Sequence, residues 1–147
     1  MFHVKHSIKY DMQKKYYEEI IKLAKKASKK GEVPVGAIIV KNNKIIAKAY
    51  NKIEKYKDAT MHAEIIAIKK ASKKLKNWRL NDCEMYVTLE PCIMCSSAIE
   101  LSRIKKTYYL VKRDKQIYID KNKYIYDNNF FTTEALNLLQ SFFKKVR

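Results

Sequence analysis

Glycine and proline are scarce, with 2 of each in 147 residues, which excludes collagen-like, elastic and linker-rich chains. Cysteine is nearly as rare. Its count of 3 is odd and too small for a disulfide scaffold, and so points to a reducing compartment. No apolar run approaches the roughly 18 residues that a membrane span needs. Met1–Asp11 also lacks the apolar stretch of a secretory leader, so a cytoplasmic chain with no membrane partner is expected. Acidic residues are in deficit, 15 against 32 Lys and Arg, leaving a formal net charge of +17. What is abundant is apolar: 47% of residues are hydrophobic, enough for a core and too much for intrinsic disorder. The length suits one domain spanning 1–147, with 1–11 expected as a flexible extension.

The charge has two readings. Of the 32 basic residues 28 are Lys and 4 are Arg, a profile that biased nucleotide composition also produces. A polyanionic partner such as nucleic acid and a merely solvated Lys-rich surface stand even on charge alone.

The apolar pattern predicts alternating helices and strands. Asp11 can cap a first helix reaching about Lys30, with Gly31 at its C′ position and Met12, Tyr16, Ile20, Leu23 and Ala27 as its stripe. Val35–Val40 and Lys44–Tyr50 read as a hairpin around Lys41-Asn42-Asn43, because Asn tolerates positive φ. Asp58 or Thr60 caps a second helix with Ile65, Ile68, Ala71 (or Ser72) and Leu75 inward. Glu84–Leu89 is a strand, Pro91 opens a helix to about Leu101, and Lys106–Val111 is a strand. Residues 112–129 read as a loop with one short strand, before a last helix from Thr132 or Thr133. The expected class is α/β, a three-layer α/β/α sandwich around a mixed sheet of about five strands.

One constellation carries chemistry: His62-Ala63-Glu64 and Pro91-Cys92-Ile93-Met94-Cys95. Cys92 and Cys95, three apart on the first turn of a helix, aim their sulfurs the same way. A helix N-terminus favours thiolate. Two thiolates and an imidazole suit zinc, which keeps a fourth position for water in catalytic sites and lowers that water's pKa to about 7. Glu64, two residues from His62, is placed to move protons. Cys83 reads as a small core residue; as a fourth ligand it would close the site.

His-x-Glu followed by Pro-Cys-x-x-Cys is the zinc deaminase signature. The resemblance extends through Glu32-Val33-Pro34-Val35-Gly36-Ala37, Asp58–Ile65, Asn77-Trp78-Arg79-Leu80, Tyr86–Cys95, Ser102-Arg103-Ile104 and Leu138–Arg147. Over residues 12–147 the chain resembles the bacterial tRNA-specific adenosine deaminases. The resemblance implies that His62, Cys92 and Cys95 hold one Zn2+ per subunit, with no organic cofactor. It implies zinc-hydroxide attack on C6 of a flipped-out adenine, with Glu64 as proton shuttle and inosine as product. Asn51 would hydrogen-bond the purine, Val33 and Pro34 would wall the pocket, and the Ala63 N–H with Leu89 and Glu90 would complete it. The implied substrate is the wobble adenosine of a tRNA anticodon stem-loop, arginine tRNA above all, and the implied assembly a homodimer. Arg103, Phe142, Lys144, Lys145 and Arg147 are the expected RNA contacts, the last four mixing aromatics with bases.

The chain departs from that family after the strand at 106–111. Where a Gly-rich stretch ends in Asp, it reads Lys112-Arg113-Asp114. Ser96-Ser97 replaces an Ala-Gly pair, and Ala59 replaces a Pro. Cytidine, deoxycytidylate or guanine deamination is the alternative within the same chemistry, and a non-catalytic zinc-stabilised RNA-binding module the alternative outside it. Three protein ligands favour an enzyme; four favour the module.

Overall fold

The computed structural model describes residues 2–114 and 122–146. The chain runs α1 (Phe2–Lys29), β1 (Gly36–Lys41), β2 (Lys44–Tyr50), α2 (Ile53–Tyr56), α3 (Ala63–Leu75), β3 (Cys83–Leu89), α4 (Ile93–Leu101), β4 (Lys106–Val111), β5 (Tyr124–Tyr126) and α5 (Thr132–Val146). The five strands lie in the order β2-β1-β3-β4-β5. β1 pairs antiparallel with both β2 and β3, whereas β3–β4 and β4–β5 are parallel. The mixed sheet is sandwiched between α1 and α5 on one face and α3 and α4 on the other, as the alternation of elements requires. Among the described residues no helix is long and apolar enough to cross a membrane.

The hairpin forms where it is expected. Asn42 (φ 50°) and Asn43 (φ 63°) both occupy the left-handed region, the two-residue turn whose twist matches the flanking strands. Gly31 ends α1 with φ 78°. Tyr17, Ile20 and Ile38 are fully buried in the layer between α1 and the sheet. Each such side chain contributes about 1.5–3 kcal/mol of transfer free energy. α1 lies so close to β1 that a Cβ on Gly36 would sit 2.7 Å from Leu23 Cβ and 2.9 Å from the Ala24 amide nitrogen.

Three expectations shift. Asp11 is not a cap: α1 begins at Phe2, and 2–10, expected as an extension, continues the helix. Asp58 and Thr60 do not cap α3. The Asp58 carboxylate accepts from both the backbone N–H and the hydroxyl of Thr60 (2.8 and 2.7 Å), and His62 takes the N-cap position. α3 is also rotated: Ala63, Glu64, Ile66, Ala67 and Ala71 are buried, while Ile65, Ile68 and Leu75 are half-buried. Burying Glu64 turns its neighbours inward. The short α2 is an addition. Buried Glu32 accepts from the backbone N–H groups of Glu54 and Lys55, both at 2.9 Å, and so fixes it. Part of the expected 112–129 loop, 115–121, lies outside the described residues.

Candidate metal centre and active site

The site lies at the C-terminal end of β3, where the N-termini of α3 and α4 converge. His62 and Cys92 are the residues that precede those helices, both with extended backbone. His62 Nδ1 is 3.6 Å from Cys92 Sγ and 3.5 Å from Cys95 Sγ, and the three donor atoms lie within 4.8 Å of one another. Tetrahedral zinc with Zn–N about 2.05 Å and Zn–S about 2.3 Å sets such donors about 3.5–3.6 Å apart. The donor set therefore fits Zn2+ in spacing and softness as well as in residue type. Cys83 is not part of it. It is buried at the start of β3 within the α3/α4-side core, so the described residues supply three ligands in this group.

The electrostatics follow from that crowding. Hydrogen bonding with Cys95 pulls the Cys92 thiol well below its ordinary range against the effect of burial, and His62 adds to the pull. Cys95 is pushed up by the Cys92 sulfur and by burial. His62 is raised, chiefly by its bond to Cys92. A bound cation displaces the thiol protons. Glu64 is 2% exposed, and burial pushes its carboxyl up.

Other chain segments join at the same end. The Asn51 N–H bonds the Val35 carbonyl (3.2 Å), tying β2 to the Val33-Pro34 lead-in of β1. Asn51 Oδ1 accepts the Ala63 N–H at 2.7 Å in a buried bond. The Ala63 amide is thereby engaged by Asn51, whose Nδ2 is the group left to point a donor elsewhere. Thr88 Oγ1 accepts the Gly36 N–H (3.1 Å), locking β3 to β1 just before Leu89 and Glu90.

Sequence reasoning singled out Arg113 only as a departure, yet it is a working part. Its backbone N–H donates to Glu90 Oε1 (2.9 Å) and its Nε to the Glu90 carbonyl (2.6 Å), so buried Glu90 is clamped beside Pro91. Its charge also acts on His62 and Glu64, opposing in small part the rise of each. The signal available beforehand was a cation directly after a strand end, at a place where the family carries Asp.

The expected RNA contacts are dispersed. Phe142 is half-buried; Phe143, 42% exposed, lines a groove of about 480 Å³ with Leu89, Arg113, Leu136 and Leu139. Lys144 and Lys145 are exposed at the end of α5, and Arg147 lies outside the described residues. Arg103 follows the far end of α4, beyond nine helical residues from Cys92, and its guanidinium stands 5.6 Å from the Trp78 ring centre. It is not brought together with the metal ligands.

Comparison with known proteins agrees with this geometry. Residues 11–111 match the family model described as the cytidine and deoxycytidylate deaminase zinc-binding region. A protein of Aquifex aeolicus named tRNA-specific adenosine deaminase is 46% identical over 92% of this chain and 97% of its own. A solved structure from work on A-to-I editing by tRNA deaminases at the wobble position is 38% identical, covering 69% of this chain and 78% of its own with a TM-score of 0.68. The guanine deaminase of Bacillus subtilis is 30% identical over 88% of this chain and 92% of its own, with a TM-score of 0.64. Matched over two thirds of its length, and carrying three zinc-spaced donors with a buried glutamate beside them, the chain belongs to the cytidine and deoxycytidylate deaminase zinc-binding family.

Proposed function

We propose that this chain hydrolyses adenosine to inosine and ammonia at the wobble position of a tRNA anticodon, arginine tRNA being the expected substrate. We also propose that it works in the cytoplasm as a homodimer of single-domain subunits. The observation that carries the reading is that, among the described residues, the donor group has three members and not four, with buried Glu64 beside it. The name of the Aquifex aeolicus relative supports the substrate assignment.

His62, Cys92 and Cys95 would hold the zinc, which when bound supplies a Lewis acid with an open position and lowers a water's pKa to about 7. Glu64, whose burial raises its proton affinity, relays the two protons of the attacking water in turn. The first goes to N1 of the ring and the second to the departing amine, which leaves as ammonia, so no charge is left stranded in the pocket. Asn51 donates from Nδ2 to the purine, its Oδ1 being fixed on Ala63. Val33, Pro34 and Leu89 exclude water from the faces of the base. Glu90, clamped by Arg113, fixes the wall that leads into Cys92. The α5 groove and Lys144, Lys145 and Arg147 take the flanking nucleotides. Exposed Ile93 (64%) and Leu101 (69%) on α4 support a helix-mediated contact between subunits.

The test is incubation with an unmodified arginine tRNA anticodon stem-loop and assay for inosine. Free adenosine, cytidine and guanine are assayed in parallel, guanine because of the Bacillus subtilis neighbour. Inosine in the stem-loop is the expected product. Turnover of guanine or cytidine alone would transfer the chemistry to a free base or nucleoside.

A further inference from the structure

A second cluster lies one residue from Asn51, on the edge of the sheet opposite α5. Tyr50 ends β2, and three ammonium groups converge on its ring: Lys52 Nζ at 4.9 Å from the centroid, Lys26 at 5.5 Å and Lys30 at 6.0 Å. They come from separate elements, Lys26 from α1, Lys30 from the turn after it and Lys52 from the segment leading to α2. Lys30, Tyr50, Lys52 and Lys55 line a hollow of about 320 Å³ with Glu32 and Glu54. The Glu32 carboxylate is committed to the backbone amides of α2, and Glu54 is exposed at the rim. Among the described residues none of Lys26, Lys30 and Lys52 forms an ion pair.

The crowding leaves a mark on its neighbours. Burial would raise the Tyr50 hydroxyl, but a hydrogen bond from Lys30 and the charges of Lys52, Lys30 and Lys26 outweigh it and hold it below the usual tyrosine range. Lys70, which donates to the Lys48 carbonyl at 2.7 Å, is lowered by burial and then by Lys52 and Lys26. A solvated Lys-rich surface spreads its charges. Here they are drawn onto one ring, whose face attracts each cation only weakly. Lys52 also ties the cluster to the catalytic end, since its N–H bonds the carbonyl of Met61, the residue before His62.

We propose that Lys26, Lys30 and Lys52, gathered around Tyr50 beside Asn51, hold a backbone phosphate of the RNA next to the target nucleotide. This rests on the tRNA reading above and adds to it a grip on the side of the site away from α5. A phosphate at the Tyr50 edge of the hollow would meet the three cations gathered at that ring, relieve their mutual repulsion and displace its own counterions.

The test measures binding of a labelled anticodon stem-loop by anisotropy across a salt series. Lys26→Ala/Lys30→Ala is compared with Lys73→Ala/Lys74→Ala, which removes two charges at the end of α3, and with Lys26→Arg/Lys30→Arg. The first variant is expected to bind about tenfold more weakly and to flatten the dependence of log K on log salt by about 0.7, the value for one phosphate. The α3 control and the Arg variant are expected to stay within about twofold of the parent. Equal weakening in the α3 control, or none in the first variant while the parent still deaminates the stem-loop, overturns the subsite alone. Failure of the parent to bind or deaminate the stem-loop overturns the tRNA reading and the subsite with it. Calorimetry with inorganic phosphate at constant ionic strength separates the sources. A saturable phosphate site that the first variant lacks, with RNA affinity unchanged, assigns the hollow to a free anion and refutes the RNA contact.

Discussion

Replacing Asn51 separates two jobs that one side chain performs. Asn51 is 5% exposed, and its Oδ1 accepts the buried Ala63 N–H at 2.7 Å, joining the end of β2 to the first turn of α3 beside His62. Asn51→Ala orphans that N–H, at a cost of about 1–3 kcal/mol. For a domain of this size 1 kcal/mol corresponds to about 2–4 °C in Tm, so a fall of about 4–8 °C is expected at the middle of the range. Asn51→Asp is the discriminating variant. An aspartate keeps the acceptor, and its charge is favourable at a helix N-terminus, so Tm should stay within about 2 °C of the parent. It lacks the Nδ2 donor, and loss of one such donor to a buried reacting group costs about 10²–10³ in rate. The assays are calorimetric melting of zinc-loaded protein and inosine formation under kcat/KM conditions. An Asn51→Asp enzyme of parental activity would refute the donor role, and an Asn51→Ala protein of parental Tm would refute the structural one.

Glu64→Gln is expected to keep one zinc per chain by elemental analysis while losing about 10²–10⁴ in turnover, because the proton shuttle is gone and the ligands are not. Persisting deamination would remove Glu64 from the mechanism. Gly36→Ala forces a Cβ against Leu23 and the backbone of Ala24, and should destabilise by about 1–3 kcal/mol in a denaturant titration without altering zinc content. Arg113→Ala breaks the 2.6 Å bond to the Glu90 carbonyl two residues before Cys92. Zinc affinity measured by chelator competition should fall about tenfold, as for other groups that orient a ligand segment. Unchanged affinity would reduce Arg113 to a surface role.

The parts of the fold that sequence exposes are those set by nearby residues. β2 and β4 occupy the strand ranges their residues suggest, and Asn42-Asn43 declares its turn through a backbone conformation that few residues accept. Helix starts are harder, because a capping residue has other uses. Asp58 closes a turn on Thr60 and leaves α3 to begin after His62, while Asp11 lies inside a helix whose pattern simply continues upstream. The metal donors were legible because each half of the motif is local: two residues between the cysteines, and a histidine two positions from a glutamate. The Glu90–Arg113 clamp and the Tyr50 lysine cluster were not. Both bring together residues more than 20 positions apart, and no local pattern encodes such a meeting.

Among the described residues the order β2-β1-β3-β4-β5 puts β2 and β5 at the sheet edges, and each resists strand addition in its own way. β5 is three residues long, too short to template a partner. β2 exposes Lys44 and Lys48 along its rim, and the Lys48 carbonyl is already taken by Lys70. A second chain meeting this edge would have to bury cations before gaining a ladder of hydrogen bonds. Continuation of the sheet from one copy into the next is therefore disfavoured at both edges. The exposed lysines of β2 thus serve as charged edge residues that oppose strand-to-strand association.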